Sequence, residues 1–159
     1  MKTRLSQLLK FAEDSKIHDR MSTYVAYTRA LYLLHQQNHW NAEDYSDHLL
    51  FERIYNESLS RADEAAERVI GLFGSVAFSG HEMKLVLEWV PSSNDRISLL
   101  KSSIVAERTF SQFVQTIMDE LEEAGKLTLG LEDLIPAHTS MSETHLYLLQ
   151  QTLKNVEKE

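Results

Sequence analysis

The stretch over residues 47–69 constrains the chain most. On a helical wheel with His48 at zero, Phe51, Ile54, Tyr55, Ala62, Ala65 and Val69 gather between about 240° and 340°. That is the apolar stripe of a long amphipathic helix, and a strand would scatter it. Similar spacing recurs elsewhere: Tyr24, Val25, Leu31 and Leu34 in a helix over about 20–39, and Ile97, Leu100, Ile104, Val114, Ile117 and Leu121 in one over about 95–125. Met141, His145, Leu148, Leu149 and Leu153 mark a fourth, with Pro136 expected in its first turn. Five glycines and two prolines are too few to interrupt such segments often, so the fold class is all-α.

The punctuation agrees. Asp44 is placed to cap the helix at 45–70, and Gly71 and Gly74 to end it. Ser93 or Asn94 can cap the third long helix, and Gly125 suits its C′ position. Met83, Val86 and Leu87 predict a short connector helix from about Gly80 to Val90, stopped by Pro91, with Trp89 in a packing role. At the N-terminus, Leu5, Leu8, Leu9 and Ala12 predict a short amphipathic helix over 4–14, which the polar run at 15–20 should break or bend. With 159 residues the chain is expected to be one domain spanning 1–159.

The other faces of the 45–70 helix differ in kind. Arg53, Glu57, Arg61, Glu64 and Arg68 lie between about 140° and 220°, a mixed-sign i,i+4 ladder that reads as a solvated face. Glu52, Asp63 and Glu67 fall at about 40°, 60° and 100°, with no basic residue among them. Asp63 and Glu67 are like charges at i,i+4, a mildly destabilising arrangement. Acids at the edge of a buried stripe without a cation from the chain invite an external one. Glu52 and Asp63 are separated by about 16 Å along the axis, so one ion cannot reach both pairs on one helix. An antiparallel second copy, with its two-fold axis near residues 57–58, would bring His48 and Glu52 of one chain to Asp63 and Glu67 of the other.

His39-Trp40-Asn41, a second His at 48, an acid at 52 and Asp63-x-x-x-Glu67-Arg68 together resemble the Dps group (DNA protection during starvation) of the ferritin superfamily. The resemblance implies a ferritin-like four-helix bundle, with the connector helix between the second and third long helices packing beside a two-fold axis. It implies an iron-binding, ferroxidase protein that oxidises Fe(II) with peroxide or dioxygen at a site shared between subunits and stores the ferric product. Carried over by position, the metal ligands are His39, His48, Glu52, Asp63 and Glu67. The family's loop between the two histidines is three residues longer and carries a glycine, and its third ligand is usually aspartate where Glu52 stands here. The implied partner is the chain itself, in a closed homo-oligomer of twelve. Trp40, beside a ligand, could donate an electron to a stray oxidant or simply pack at an interface.

Several classes are disfavoured. The net charge of −8 and the sparse Lys2, Arg4 and Lys10 argue against tight DNA binding. The absence of cysteine excludes disulfides and thiolate metal sites. Neither a membrane span nor a signal-peptide pattern stands out, so a soluble cytoplasmic protein is expected. The intra-bundle di-iron site of ordinary ferritins needs Glu-x-x-His on two helices, and that motif is absent, which leaves Glu107 solvated or paired and His35, His138 and His145 structural. The competing reading is a non-catalytic helical-bundle module that uses the same helix face only to oligomerise.

Overall fold

A computed structural model describes the backbone of residues 2–77 and 80–158. The side chains of residues 2–6, 8, 9 and 11 lie outside the described set, and with them the apolar face expected of Leu5, Leu8 and Leu9. Five helices follow one another: α1 (Lys2–Asn41), α2 (Tyr45–Phe73), α3 (His81–Trp89), α4 (Arg96–Glu123) and α5 (Leu129–Val156). The predicted break at 15–20 is absent. Ile17 is buried, His18 bonds the Ser75 carbonyl at 2.7 Å and stacks on Phe73, and the intervening polar residues sit on α1's outer side. Polarity alone does not end a helix when no glycine or proline interrupts it.

The caps explain the boundaries. The Asp44 side chain accepts from the amides of Ser46 and Asp47, and Gly74 closes α2 at φ 80°, where a Cβ would be strained. The cap of α4 is Asp95, one residue beyond the expected pair, accepting from Ser98 N at 2.9 Å. Thr128 caps α5, so Pro136 lies inside that helix and not in its first turn. Pro136 is exposed, as is Glu132, whose carbonyl loses its helical partner and faces water.

The long helices form a four-helix bundle: α1 packs on α2, α4 on α5, and the pairs meet through α1 with α4 and α2 with α5. The connector α3 lies across α1 and α4, with Trp89 buried against Tyr27. The core is in two parts. Phe51, Ile54, Leu99, Leu100, Ile104 and Leu149 form one apolar cluster. A larger one holds Tyr24, Leu31, Leu34, Ala65, Val69, Phe110, Ile117 and Ile135. Between them, at positions 58 and 61 of α2, 103 and 107 of α4, and 142 and 145 of α5, the buried residues are polar.

Candidate metal centre

The three-residue connection at 42–44 folds the end of α1 against the start of α2 and brings His39 to His48. Their ring centroids are 3.9 Å apart. His39 Nδ1 donates to the His48 carbonyl at 3.0 Å, and His48 Nδ1 to the His39 carbonyl at 3.1 Å. A carbonyl only accepts, so both Nδ1 atoms carry a proton, and in the neutral form of each ring the lone pair lies on Nε2. This is the orientation that backbone carbonyls impose on metal-ligating histidines. The Tyr55 ring lies 5.1 Å from that of His39 and 6.3 Å from that of Tyr32.

Along the same side of α2, Glu52 is half-buried one turn beyond His48, and Asp63 and Glu67 are exposed. None of the three acids has a hydrogen bond or ion pair among the described residues. Leu59 and Ile70 stand among them at 48% and 49% exposure, costly apolar area to leave in water along a row of carboxylates. Trp40 is 66% exposed nearby in sequence. The structure therefore joins His39 to His48 and places Glu52 beside them, while Asp63 and Glu67 stay more than two turns away. Among the described residues no three His, Asp or Glu side chains of the one chain come together in a form that could hold a metal ion.

The opposite face of α2 corrects the ladder. Arg61 is fully buried. Its Nη1 donates to Ser142 Oγ at 2.7 Å, and its Nη2 to Glu107 Oε1 and Ser58 Oγ, each at 3.2 Å. Its guanidinium carbon lies 4.8 Å from the centre of the Phe110 ring. Glu107, also fully buried, accepts from His145 Nδ1 at 2.8 Å, His35 Nε2 at 3.0 Å and Ser142 Oγ at 2.6 Å. His145 Nε2 reaches Glu57 Oε2 at 2.8 Å, while Glu57 Oε1 keeps its expected partner Arg53 at 2.9 Å. Ser103, held by Asn38, supports the other nitrogen of His35. Burial alone would raise the Glu107 pKa, but the Arg61 charge and the two imidazole bonds hold it well below the usual carboxylate range. Burial pushes His35 down, so it stays neutral.

Glu64 and Arg68 also depart from the ladder. Glu64 takes the Nε2 of His138 at 3.3 Å, and the Arg68 guanidinium lies against Gly130 of α5, where any Cβ would displace it. Helical spacing placed Arg61 at about 220°, next to the stripe edge at about 240°. The missed signal was the set of titratable residues inside other apolar stripes. His35, Glu107, His138 and His145 needed buried partners.

His39 at the end of α1 thus meets His48 on a face of α2 that also carries three acids with no partner among the described residues and the exposed Leu59 and Ile70. Neither a family sequence model nor a curated protein sequence matches the chain. Solved structures do. The chain has the Dps fold. Dps from Thermosynechococcus elongatus superposes with a TM-score of 0.76 at 23% identity, over 91% of this chain and 94% of that one. Dps from Microbacterium arborescens, described in its high iron form, superposes at 0.73 and 19% identity, over 89% and 95%. An archaeal homologue from Halobacterium salinarum gives 0.73 and 18%, over 89% and 81%. The Dps fold is a ferritin-like bundle, so the predicted fold class holds, with α3 as the expected connector helix between the second and third long helices.

Proposed function

We propose that the chain is an iron-storing ferroxidase whose site is completed across a two-fold axis by a second copy. In this reading His39, His48 and Glu52 of one subunit face Asp63 and Glu67 of another, and Fe(II) is the substrate. The observation that carries the reading is the reciprocal ring-to-carbonyl bonding of His39 and His48, which leaves each Nε2 without a partner among the described residues, at one end of the α2 face whose three acids are likewise unpartnered there. Neutral imidazole with carboxylate is a donor set suited to iron, and the acids favour the ferric product. Hydrogen peroxide takes one electron from each of two Fe(II) ions and, with two protons from solvent, leaves as two water molecules.

Leu59 supports the two-fold arrangement, because it lies between the two halves of the site, near the position of the axis. Met83 and Leu87 of α3 are exposed as well, on the helix that packs on α1 and α4. A cage of twelve subunits, in a soluble cytoplasmic protein, follows the Dps likeness. No helix among the described residues is long and apolar enough to cross a membrane. The charge of −8 predicts DNA binding that is weak or absent at physiological salt. The exposed apolar area also favours a second reading, a non-catalytic oligomerisation module with no working iron site.

Mixed assemblies separate the two. His48→Ala and Glu67→Ala chains are each expected to be inactive in iron oxidation with peroxide. A heterodimer of the two contains one doubly damaged site and one intact site, so co-assembly restores part of the activity. Mixed assemblies verified by mass spectrometry that stay as inactive as either parent would overturn the shared site.

A further inference from the structure

We propose that Tyr24 is a redox-active tyrosine, with His138 as its proton acceptor and Glu64 as the charge that supports the acceptor. Tyr24 is fully buried, and its hydroxyl pairs with His138 Nδ1. The two rings lie nearly parallel, 6.0 Å apart. His138 is also buried, and its Nε2 stands 3.3 Å from Glu64 Oε2, on a carboxylate that is 58% exposed. The three groups make one line from the core to the surface, with every proton placed. Tyr24 donates to Nδ1, and Nε2–H donates to the carboxylate. Burial holds the tyrosine hydroxyl up and the imidazole down, so the resting state is phenol and neutral imidazole. The iron-binding reading uses none of these groups.

A phenol that loses an electron becomes so strongly acidic that oxidation is easy only where a base takes the proton in the same event. His138 is that base. When Fe(II) meets peroxide at a site holding a single ion, one-electron reduction gives Fe(III), hydroxide and a hydroxyl radical. The balanced step is then Tyr–OH plus neutral His plus hydroxyl radical giving Tyr–O•, HisH⁺ and hydroxide. The electron leaves Tyr24 and the proton stays on Nδ1, with the Glu64 carboxylate against Nε2–H. Glu64 is one turn from Glu67, and both line one surface cavity of about 580 Å³, which places the outer end of the line beside the candidate ligand. The source of the oxidant rests on the proposed function, whereas the redox competence of Tyr24 does not.

The test has an iron-free arm. Flash photolysis of a ruthenium tris-bipyridine sensitiser with persulfate, followed by freeze-quench electron paramagnetic resonance, is expected to give a tyrosyl radical in the metal-free assembled protein. Tyr24→Phe should remove most of it, and Tyr55→Phe and Tyr147→Phe should not. His138→Phe should lower the yield severalfold, and His138→Gln, which keeps an acceptor oxygen, should recover part of it. An unchanged radical in a Tyr24→Phe chain with wild-type circular dichroism would overturn the proposal, as would a His138→Phe chain with the full Tyr24 signal. In the second arm Fe(II) and peroxide replace the sensitiser. A Tyr24 radical that forms by light and not with iron leaves the tyrosine assignment standing and counts against the iron reading.

Discussion

The inner and outer faces of α2 carry similar residues and treat them oppositely. Inside, Arg61 and Glu57 reach Glu107, His145 and two serines, so the chain supplies a partner for each charge it buries. Outside, Glu52, Asp63 and Glu67 have none among the described residues, and the two neighbouring histidines are turned so that each bonds a carbonyl through Nδ1 and leaves Nε2 without a partner there. A satisfied polar cluster fixes how four helices meet. An unsatisfied one keeps its capacity for something from outside. The same acid–imidazole chemistry is structural in the first place and available for binding in the second, and the guanidinium decides which. Glu107 already has its cation, and Glu67 does not.

The largest effect is expected where this contrast is broken from inside. Arg61→Ala leaves Glu107 buried without its cation and should cost about 3–5 kcal/mol, read from the urea midpoint. Asp63→Asn and Glu67→Gln should leave that midpoint close to wild type. Glu107→Gln keeps an acceptor oxygen for the imidazoles and an N–H for Ser142. A double Arg61→Met, Glu107→Gln chain should therefore be more stable than Arg61→Met alone, a coupling that a double-mutant cycle measures. Equal losses in the single and double chains would show that the ion pair is not the unit that matters.

Acid should act next, on the inner face of α2 and not on the outer one. Burial holds the folded-state pKa values of His35 and His138 below their ordinary value of 6.5. Below that pH the unfolded chain binds more protons than the folded one, so stability falls as pH falls. Glu107 adds a second loss. Despite its burial, the Arg61 charge holds its folded pKa well below the ordinary 4.5, so its contribution is intact above 4.5 and is lost as pH drops towards the folded value. Urea midpoints should decline from about pH 6.5 downward and more steeply below about 4.5. A chain carrying Asp63→Asn and Glu67→Gln should show the same decline. A flat profile would remove the inner layer from the account.

The two faces were unequally legible. Periodicity is local, so Phe51, Ile54, Ala62, Ala65 and Val69 announced α2, and Asp44, Gly74 and Gly125 marked helix ends. The outer face was legible too, because the absence of a basic neighbour can be read along one helix. The inner layer was not, since its bonds run between α1, α2, α4 and α5, and no spacing within one helix predicts that Arg61 meets Glu107. The solvated-ladder reading failed for that reason. An i,i+4 partner is worth only a few tenths of a kcal/mol, and a buried carboxylate from another helix outbids it. His145 and His138 likewise found acids across the bundle, in Glu57 and Glu64.

The smallest effect sharpens the comparison most. Asp63 and Glu67 are like charges one turn apart on an exposed face, and their repulsion costs about 0.2–0.5 kcal/mol. Glu67→Gln should therefore raise the stability of the metal-free protein slightly, while abolishing tight binding of Fe(II) as read by titration under anaerobic conditions. Glu57→Gln, four residues from Arg61, should behave the other way. It leaves metal binding intact and weakens the bundle, because the bond from His145 Nε2 loses its charged acceptor. Arg53 loses its partner as well, but that exposed pair is worth little. Stability gained with binding lost at position 67, against stability lost with binding kept at position 57, is an exchange that general acidity cannot produce. If the two substitutions shift both quantities in the same direction, the division of α2 into a self-satisfied face and a vacant one is wrong.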